Sequence, residues 1–386
     1  MGNSVPKIYE IGETAMDKQA VTVIVCDDSA LMRNLLGRII DEAEGLELAG
    51  KAMNGKFLLN KLETLKPDII LLDLEMPEMN GIEFLKERKR RGIDIPVVIL
   101  SSVAKKGARI TMEALNLGAS DFILKPSGSI SEDIHTVRDT IVSTLLAYGR
   151  RHKMRNSRNV FTVGTSDLPG MPPSTKSASK PPVTESPSSK TERIEVVALG
   201  ISTGGPNALR KVMADIDPEL PVPMLIVQHM PAGFTAEFAK SLDKICPLEV
   251  KEGEDGDILA AGRVFIAPGG FHIEVEKKRL ASVLRVSSRD LKNGHRPSAG
   301  VLFESVAENF GGNALAVIMT GMGKDGSDEI GEIWSKGGIT LGQDEASSVV
   351  YGMPRVAAEN GFLDYVVSLD EMASTINRIV REKVRG

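Results

Sequence analysis

Residues 200–204, Gly-Ile-Ser-Thr-Gly, set one serine between glycines directly after the apolar run IEVVALG. The pattern fits G-x-S-x-G, in which a strained strand-to-helix bend exposes a serine hydroxyl as a nucleophile. Two other uses compete: a purely structural bend, and a cradle for phosphate. The dinucleotide fingerprint G-x-G-x-x-G fails, because Ser202 stands where its second glycine belongs, and no Walker lysine follows. Glycines at a helix start would still leave backbone N–H groups free for an anion.

A nucleophilic serine needs a base, and the chain holds five histidines. His135 ends the first half, His152 opens a polar stretch, His272 follows APGG at a strand entrance, and His295 lies in the loop KNGHRPS. His229 alone closes an apolar run, VPMLIVQHM, the next one after the serine run. In a parallel sheet both ends lie on one edge, close enough for a Ser–His hydrogen bond. A third group must orient the imidazole and stabilise its charged form. The run ALAVIMT leads into GMGKDGSDE, which brings Asp325 to the same edge; Asp328 is its rival, expected one turn into the next helix. The N–H of Thr203, the residue after the serine, is the natural first donor to an oxyanion. The order Ser, His, Asp differs from the Ser, Asp/Glu, His order of α/β-hydrolases, so the turn is shared and the fold is not.

Earlier runs also end in reactive side chains. VTVIVCDD closes on Asp27-Asp28, DIILLDLEMP carries Asp73, IPVVILSSV ends in Ser101-Ser102, and ASDFILKP ends in Lys125-Pro126. Carboxylates crowded at strand ends repel, so they need a cation or shifted pKa values. Donor sets made only of oxygen suit Mg²⁺. A carboxylate beside that ion can attack phosphorus and become an aspartyl phosphate. The metal and Lys125 would then neutralise the transferring oxygens, and Ser101 would donate a hydrogen bond. Singly, each residue also fits a helix cap or a turn.

Strands must carry these groups. From Val21, five short apolar runs alternate with helical patterns such as SALMRNLLGRIIDEA and GIEFLKERKRRG. That rhythm predicts a parallel sheet covered on both faces. Then LPGMPPSTKSASKPPVTESPSSKTE, rich in Pro, Ser, Thr and Lys, offers almost nothing to bury. It reads as a flexible linker. Alternation resumes with IEVVALG, VPMLIVQHM, RVFIAPGG and ALAVIMTG. The expected fold class is α/β: two doubly wound parallel-sheet domains, the first flavodoxin-like and the second Rossmann-like. The expected boundaries are an extension over 1–19, a first domain over 20–148, a linker over 149–192 and a second domain over 193–386.

The 386 residues are 42% hydrophobic and 26% charged, with a net charge of −5 spread through the chain. No broad electrostatic footprint for nucleic acid results. Cys26 and Cys246 stand far apart, outside any metal-ligand spacing, and read as free thiols of a reducing compartment. No apolar stretch approaches the ~20 residues that span a bilayer. MGNSVPKIYE lacks a signal-peptide core, and Pro6 stands where a myristoylation signal needs Ser or Thr. A cytoplasmic protein without membrane insertion is expected.

The ordered set of acidic pair, Asp, Ser and Lys-Pro over residues 21–145 resembles the receiver domain of bacterial response regulators. The resemblance implies that Asp73 is the phosphoacceptor. It implies that Asp27 and Asp28 hold Mg²⁺ with Asp73 and a backbone carbonyl near Glu75, and that Ser101 and Lys125 respond to the phosphoryl group. Phe122 takes the place of a switching aromatic, a plain core role being the other reading. GISTGGP, VQHMPAGFT, IAPGGFHI, NGHRPS, MTGMGKDG and QDEASSVVYGMPRVA together resemble the catalytic domain of the CheB family of chemotaxis protein-glutamate methylesterases. Ile201 departs from the alanine common there. By this resemblance Ser202, His229 and Asp325 hydrolyse glutamyl methyl esters without a metal, Met322 joins Thr203 at the oxyanion, and glutamine deamidation accompanies the esterase. His272, His295 and Arg296 either shape the substrate groove or serve the fold. The implied partners are methyl-accepting chemotaxis receptors as substrate and a chemotaxis histidine kinase as phosphoryl donor. A receiver packed over the edge holding Ser202 would restrain the esterase, through the small polar contact common between domains. A response regulator with a DNA-binding or non-catalytic scaffold output is the alternative.

Overall fold

A computed structural model describes residues 19–102, 105–125, 133–162, 190–191 and 193–384. Most of the expected extension, Pro126 and residues 163–189 of the expected linker lie outside them. The first domain runs β1 (Val21–Cys26), α1 (Ala30–Asp41), β2 (Leu46–Ala52), α2 (Gly55–Leu65), β3 (Ile69–Asp73), α3 (Gly81–Arg90), β4 (Val97–Ser101), α4 (Lys105–Asn116), β5 (Asp121–Leu124) and α5 (Asp133–Thr162). Its five strands are all parallel, in the order β2-β1-β3-β4-β5. Every residue of β3 and β4 is buried, which explains why these strands read as unbroken apolar runs. The expected boundary at residue 148 falls inside α5. The helix continues because His152 is buried and Lys153 still donates to the carbonyl of Ala20.

The second domain comprises β6 (Val196–Ile201), α6 (Gly205–Ala214), β7 (Met224–Gln228), α7 (Phe234–Asp243), β8 (Glu249–Glu252), β9 (Arg263–Ile266), β10 (His272–Lys277), β11 (Ser282–Ser287), α8 (Ala299–Phe310), β12 (Ala314–Ile318), α9 (Ile330–Ser335), β13 (Ile339–Gln343), α10 (Met353–Glu359), β14 (Tyr365–Val367) and α11 (Leu369–Val384). Seven strands form a parallel sheet in the order β14-β13-β12-β6-β7-β9-β8, while β10 and β11 pair antiparallel beside α8. The chain leaves β6 toward β7 on one side and later returns to β12 on the other. That reversal of direction opens a crevice at the C-terminal end of β6, where α/β sheets bind their ligands.

The domains are packed together. Helix α4 lies against α7, and the rings of Phe122 and Phe234 stack at 4.9 Å and 5°. Phe122 is therefore an interface residue of the first domain. Asn207 donates to the carbonyls of Ala119 and Ser120, both at 2.9 Å, and Arg151 donates to those of Ser347 and Ser348. One hydrophobic cluster runs without a break from Met112, Leu115 and Ala119 into Phe234 and Phe238. The contact is apolar as well as polar, unlike the expectation, because α4 and β5 present aliphatic and aromatic side chains where an isolated receiver would meet water.

Candidate active site

Ser202 follows the last residue of β6. Its N–H donates to the carbonyl of Thr320 at 3.0 Å, and its own carbonyl accepts from Gly205 at 2.7 Å. The turn closes through Gly204, whose φ of +81° starts α6. A Cβ there would come within 2.7 Å of Val349, so glycine is required by conformation and by space. Among the described residues, the N–H groups of Thr203 and Met322 have no acceptor. Met322 itself is exposed in the loop after β12.

Strand β7 pairs with β6 in the register Ile201↔Gln228, and β12 pairs with β6 as Ile318↔Gly200. The three ends that carry Ser202, His229 and Asp325 are thus neighbours. The Nδ1 atom of His229 lies 3.0 Å from the Ser202 hydroxyl, and Nε2 lies 2.8 Å from Oδ2 of Asp325. An ionised carboxylate only accepts, so Nε2 carries the proton and Nδ1 accepts from the serine. His229, the histidine singled out in the sequence, is the one beside the serine, but the sequence held no sign of which ring nitrogen faces it.

Asp325 is buried and heavily bonded. Its Oδ1 accepts from Ser298 at 2.6 Å and Asn293 at 3.1 Å, and Oδ2 accepts from the N–H of Ala299 at 2.7 Å. Ser298 caps α8, so the carboxylate also faces the positive end of that helix. Burial, the largest single influence, raises its pKa. The hydrogen bond and charge of His229 and the bonds from Ser298 and Asn293 outweigh it, and the carboxyl sits well below the usual range. Asp328, the rival, is not one turn into the helix. It is exposed, two residues before α9, bonded to Asn360.

One neighbour of Ser202 and His229 escaped the sequence reading, while three residues noticed there find their places. Gln228 is buried, and its Nε2 donates to the carbonyls of Ser202 at 3.1 Å and His229 at 3.3 Å. A glutamine closing an apolar run was the available signal. The ring of His295 stacks on His229. His272 is buried, bonded through Nε2 to the carbonyl of Asp290 at 3.0 Å. Arg296 donates to the carbonyls of Ser288 and Arg289. These last two side chains hold the loop that leads to His295.

The first domain has its own cluster. Asp27, Asp28 and Asp73 bring carboxylate oxygens within 4.8 Å of one another. Lys125 donates to Asp27 at 3.0 Å and Asp73 at 2.8 Å. Burial, the largest influence, raises the pKa of Asp73 against the lowering effect of Lys125, and the Lys125 pKa is raised by these bonds despite burial. Three carboxylates carry more negative charge than Lys125 offsets, and their donors are hard oxygens, so the group suits a small divalent cation. Glu75 contributes its N–H to Asp73. Ser101 is buried beside this cleft, its hydroxyl 2.6 Å from that of Thr111.

No helix among the described residues is long and apolar enough to cross a membrane. Residues 197–376 match the family model of the CheB methylesterase, and residues 23–136 match that of the response regulator receiver domain. The protein-glutamate methylesterase/protein-glutamine glutaminase of Treponema denticola is 56% identical over 94% of this chain and 99% of its own length. The protein of the same name from Treponema pallidum is 48% identical over 93% of this chain and 96% of its own. Among solved structures, the Thermotoga maritima CheB methylesterase catalytic domain matches with a TM-score of 0.48 at 35% identity, over 48% of this chain and 99% of that one.

Proposed function

The chain belongs to the CheB family of protein-glutamate methylesterases/protein-glutamine glutaminases, and we propose that Ser202, His229 and Asp325 carry out its hydrolysis while Asp73 accepts the phosphoryl group that regulates it. It is a response-regulator hydrolase of chemotactic adaptation, acting on glutamyl methyl esters and on glutamine side chains. The observation that supports the assignment is the unbroken hydrogen-bonded line from the Ser202 hydroxyl through His229 to Asp325.

Ser202 Oγ attacks the γ-carbonyl carbon of the ester as Nδ1 of His229 takes its proton. Asp325 stabilises the resulting imidazolium and keeps the Nε2–H directed to itself. The oxyanion forms beside the N–H of Thr203, with that of Met322 as second donor. Collapse breaks the C–O bond, and Nδ1–H protonates departing methanol. Water then attacks the glutamyl–serine ester with His229 as base, releasing the carboxylate and restoring the serine. With glutamine the leaving group is ammonia. Methanol release from methyl-labelled receptor membranes by the full chain and its Ser202→Ala variant tests this; persistent release by the variant would sink it.

In the receiver, Asp27, Asp28 and Asp73 would hold Mg²⁺, which when bound neutralises the oxygens of a transferring phosphoryl group. Lys125 holds Asp73 in place, and Ser101 is set to donate to the new phosphoryl oxygens once it leaves Thr111. The substrates in this reading are chemotaxis receptors, the phosphoryl donor is a histidine kinase, and the site of action is the cytoplasm. The second domain begins near residue 193, and the linker lies between it and the end of α5.

A further inference from the structure

The turn Lys292–His295 reaches both partners of Ser202 at once. Asn293 and Gly294 have φ of +53° and +79°, and reciprocal backbone hydrogen bonds join Lys292 to His295. That is the geometry of a two-residue Asn-Gly hairpin turn, which needs positive φ at both central positions. The turn is pinned at its base, where Lys292 pairs with Glu304 and, at 3.1 Å, with Glu329. From its tip Asn293 donates to Asp325 at 3.1 Å. From its far end the ring of His295 lies on that of His229, centroids 3.9 Å apart and planes within 14°.

Two stacked imidazoles repel if both are charged. Burial first, then the charge of His229, push the pKa of His295 down to about 4, so this ring is neutral under physiological conditions. A neutral aromatic face against a ring that gains a proton during reaction favours the cation. It also occupies the space through which the His229 ring would rotate away from Ser202 and Asp325.

We propose that His295 is a positioning residue for the general base: delivered by the Asn293-Gly294 turn and stacked on His229, its ring keeps the imidazole aligned between Ser202 and Asp325. The proposal rests on the triad assignment above. It assigns His295 to alignment of the base, and substrate binding to other groups. Small misalignments of a base cost up to ~10²-fold in rate, and lost alignment acts on kcat while leaving KM.

The test compares the full chain with His295→Ala, His295→Phe and Ser202→Ala in hydrolysis of methyl-labelled receptors. His295→Ala should lower kcat by roughly 10- to 100-fold, with KM within about twofold. His295→Phe should recover most of the loss, because it restores a flat neutral ring without restoring ring nitrogens. An unchanged kcat in His295→Ala, a loss expressed in KM, or a loss that phenylalanine does not recover would each overturn the proposal. Ser202→Ala separates the two levels. If it remains active, the triad assignment falls; if it is dead while His295→Ala matches the native chain, only the role of His295 falls.

Discussion

The carboxylate of Asp121, on the receiver's last strand, accepts a 2.9 Å hydrogen bond from the N–H of Gly204, two residues beyond Ser202. The same oxygen is 3.1 Å from the hydroxyl of Tyr148. A side chain of the regulatory domain is thus bonded to the turn that presents Ser202. With the Phe122–Phe234 stack and the bonds from Asn207, this contact packs the receiver against the edge that carries Ser202. Asp121→Lys should open it, since a buried ammonium would face a donor with no acceptor between them. Unphosphorylated activity should rise by roughly 5- to 150-fold, the range of ~1–3 kcal/mol of coupling. Unchanged basal methanol release in that variant would count against the contact as a restraint.

Asp121 also gives the folded chain a dependence on pH. Burial, the dominant cause, raises its carboxyl from 3.8 to about 6 against the bonds from Gly204, Phe122 and Tyr148. A carboxyl raised in the folded chain contributes stability that is fully present at low pH and lost as pH rises through about 6. Between about pH 7 and about pH 5 this group should therefore add on the order of 1 kcal/mol to the unfolding free energy of the full chain, relative to an Asp121→Asn chain that lacks the titration. Denaturant unfolding of both chains at the two pH values checks it, and a native chain that gains no more than Asp121→Asn on acidification contradicts the assignment.

A chain beginning near residue 190 should outpace the unphosphorylated full chain on receptor ester. Equal rates, with phosphorylation still activating the full chain, would mean that phosphorylation stimulates the second domain directly or recruits it to receptors.

Loss of the nucleophile or the base should be the most damaging change at the triad. Ser202→Ala and His229→Ala are expected to lose on the order of 10⁴- to 10⁶-fold in kcat. Asp325→Ala should lose less, because His229 still sits on Ser202 without its anchor. A His229→Ala enzyme with near-native turnover would show that another base operates.

A small-molecule phosphodonor with Mg²⁺ should label Asp73, and chelation should abolish the label. Asp73→Asn should remove it while leaving basal ester hydrolysis intact. Mass mapping of the phosphorylated peptide decides the point, and a label retained by Asp73→Asn moves the acceptor elsewhere.

Much of this was legible because both sheets are parallel and buried. An apolar run that stops at a polar residue marks a strand end, and strand ends share an edge. Ser202, His229 and the acidic cluster could be read in that way. Strand order was not legible: β12 returns to pair with β6 from more than a hundred residues away, a choice made by packing. The anchors of Asp325 were hidden for the same reason, since Ser298 in the sequence is only a helix cap. Asp121 carries no sign in the sequence of its bond to Gly204, which exists only once the second domain is placed against it. His295 was noticed as a loop histidine, but a stack on His229 depends on two loops meeting.

The apolar cluster shared by the two domains should make their docking sensitive to temperature. Separating Phe122 from Phe234, and Met112 and Leu115 from their surroundings, exposes hydrocarbon to water. Opening should therefore carry a positive heat-capacity change. Attraction of this kind weakens on cooling, while direct hydrogen bonds such as that of Asp121 to Gly204 do not share that dependence. In the cold the receiver's hold should slacken, and if docking restrains Ser202, the unphosphorylated chain should then keep a larger share of its capacity than when warm.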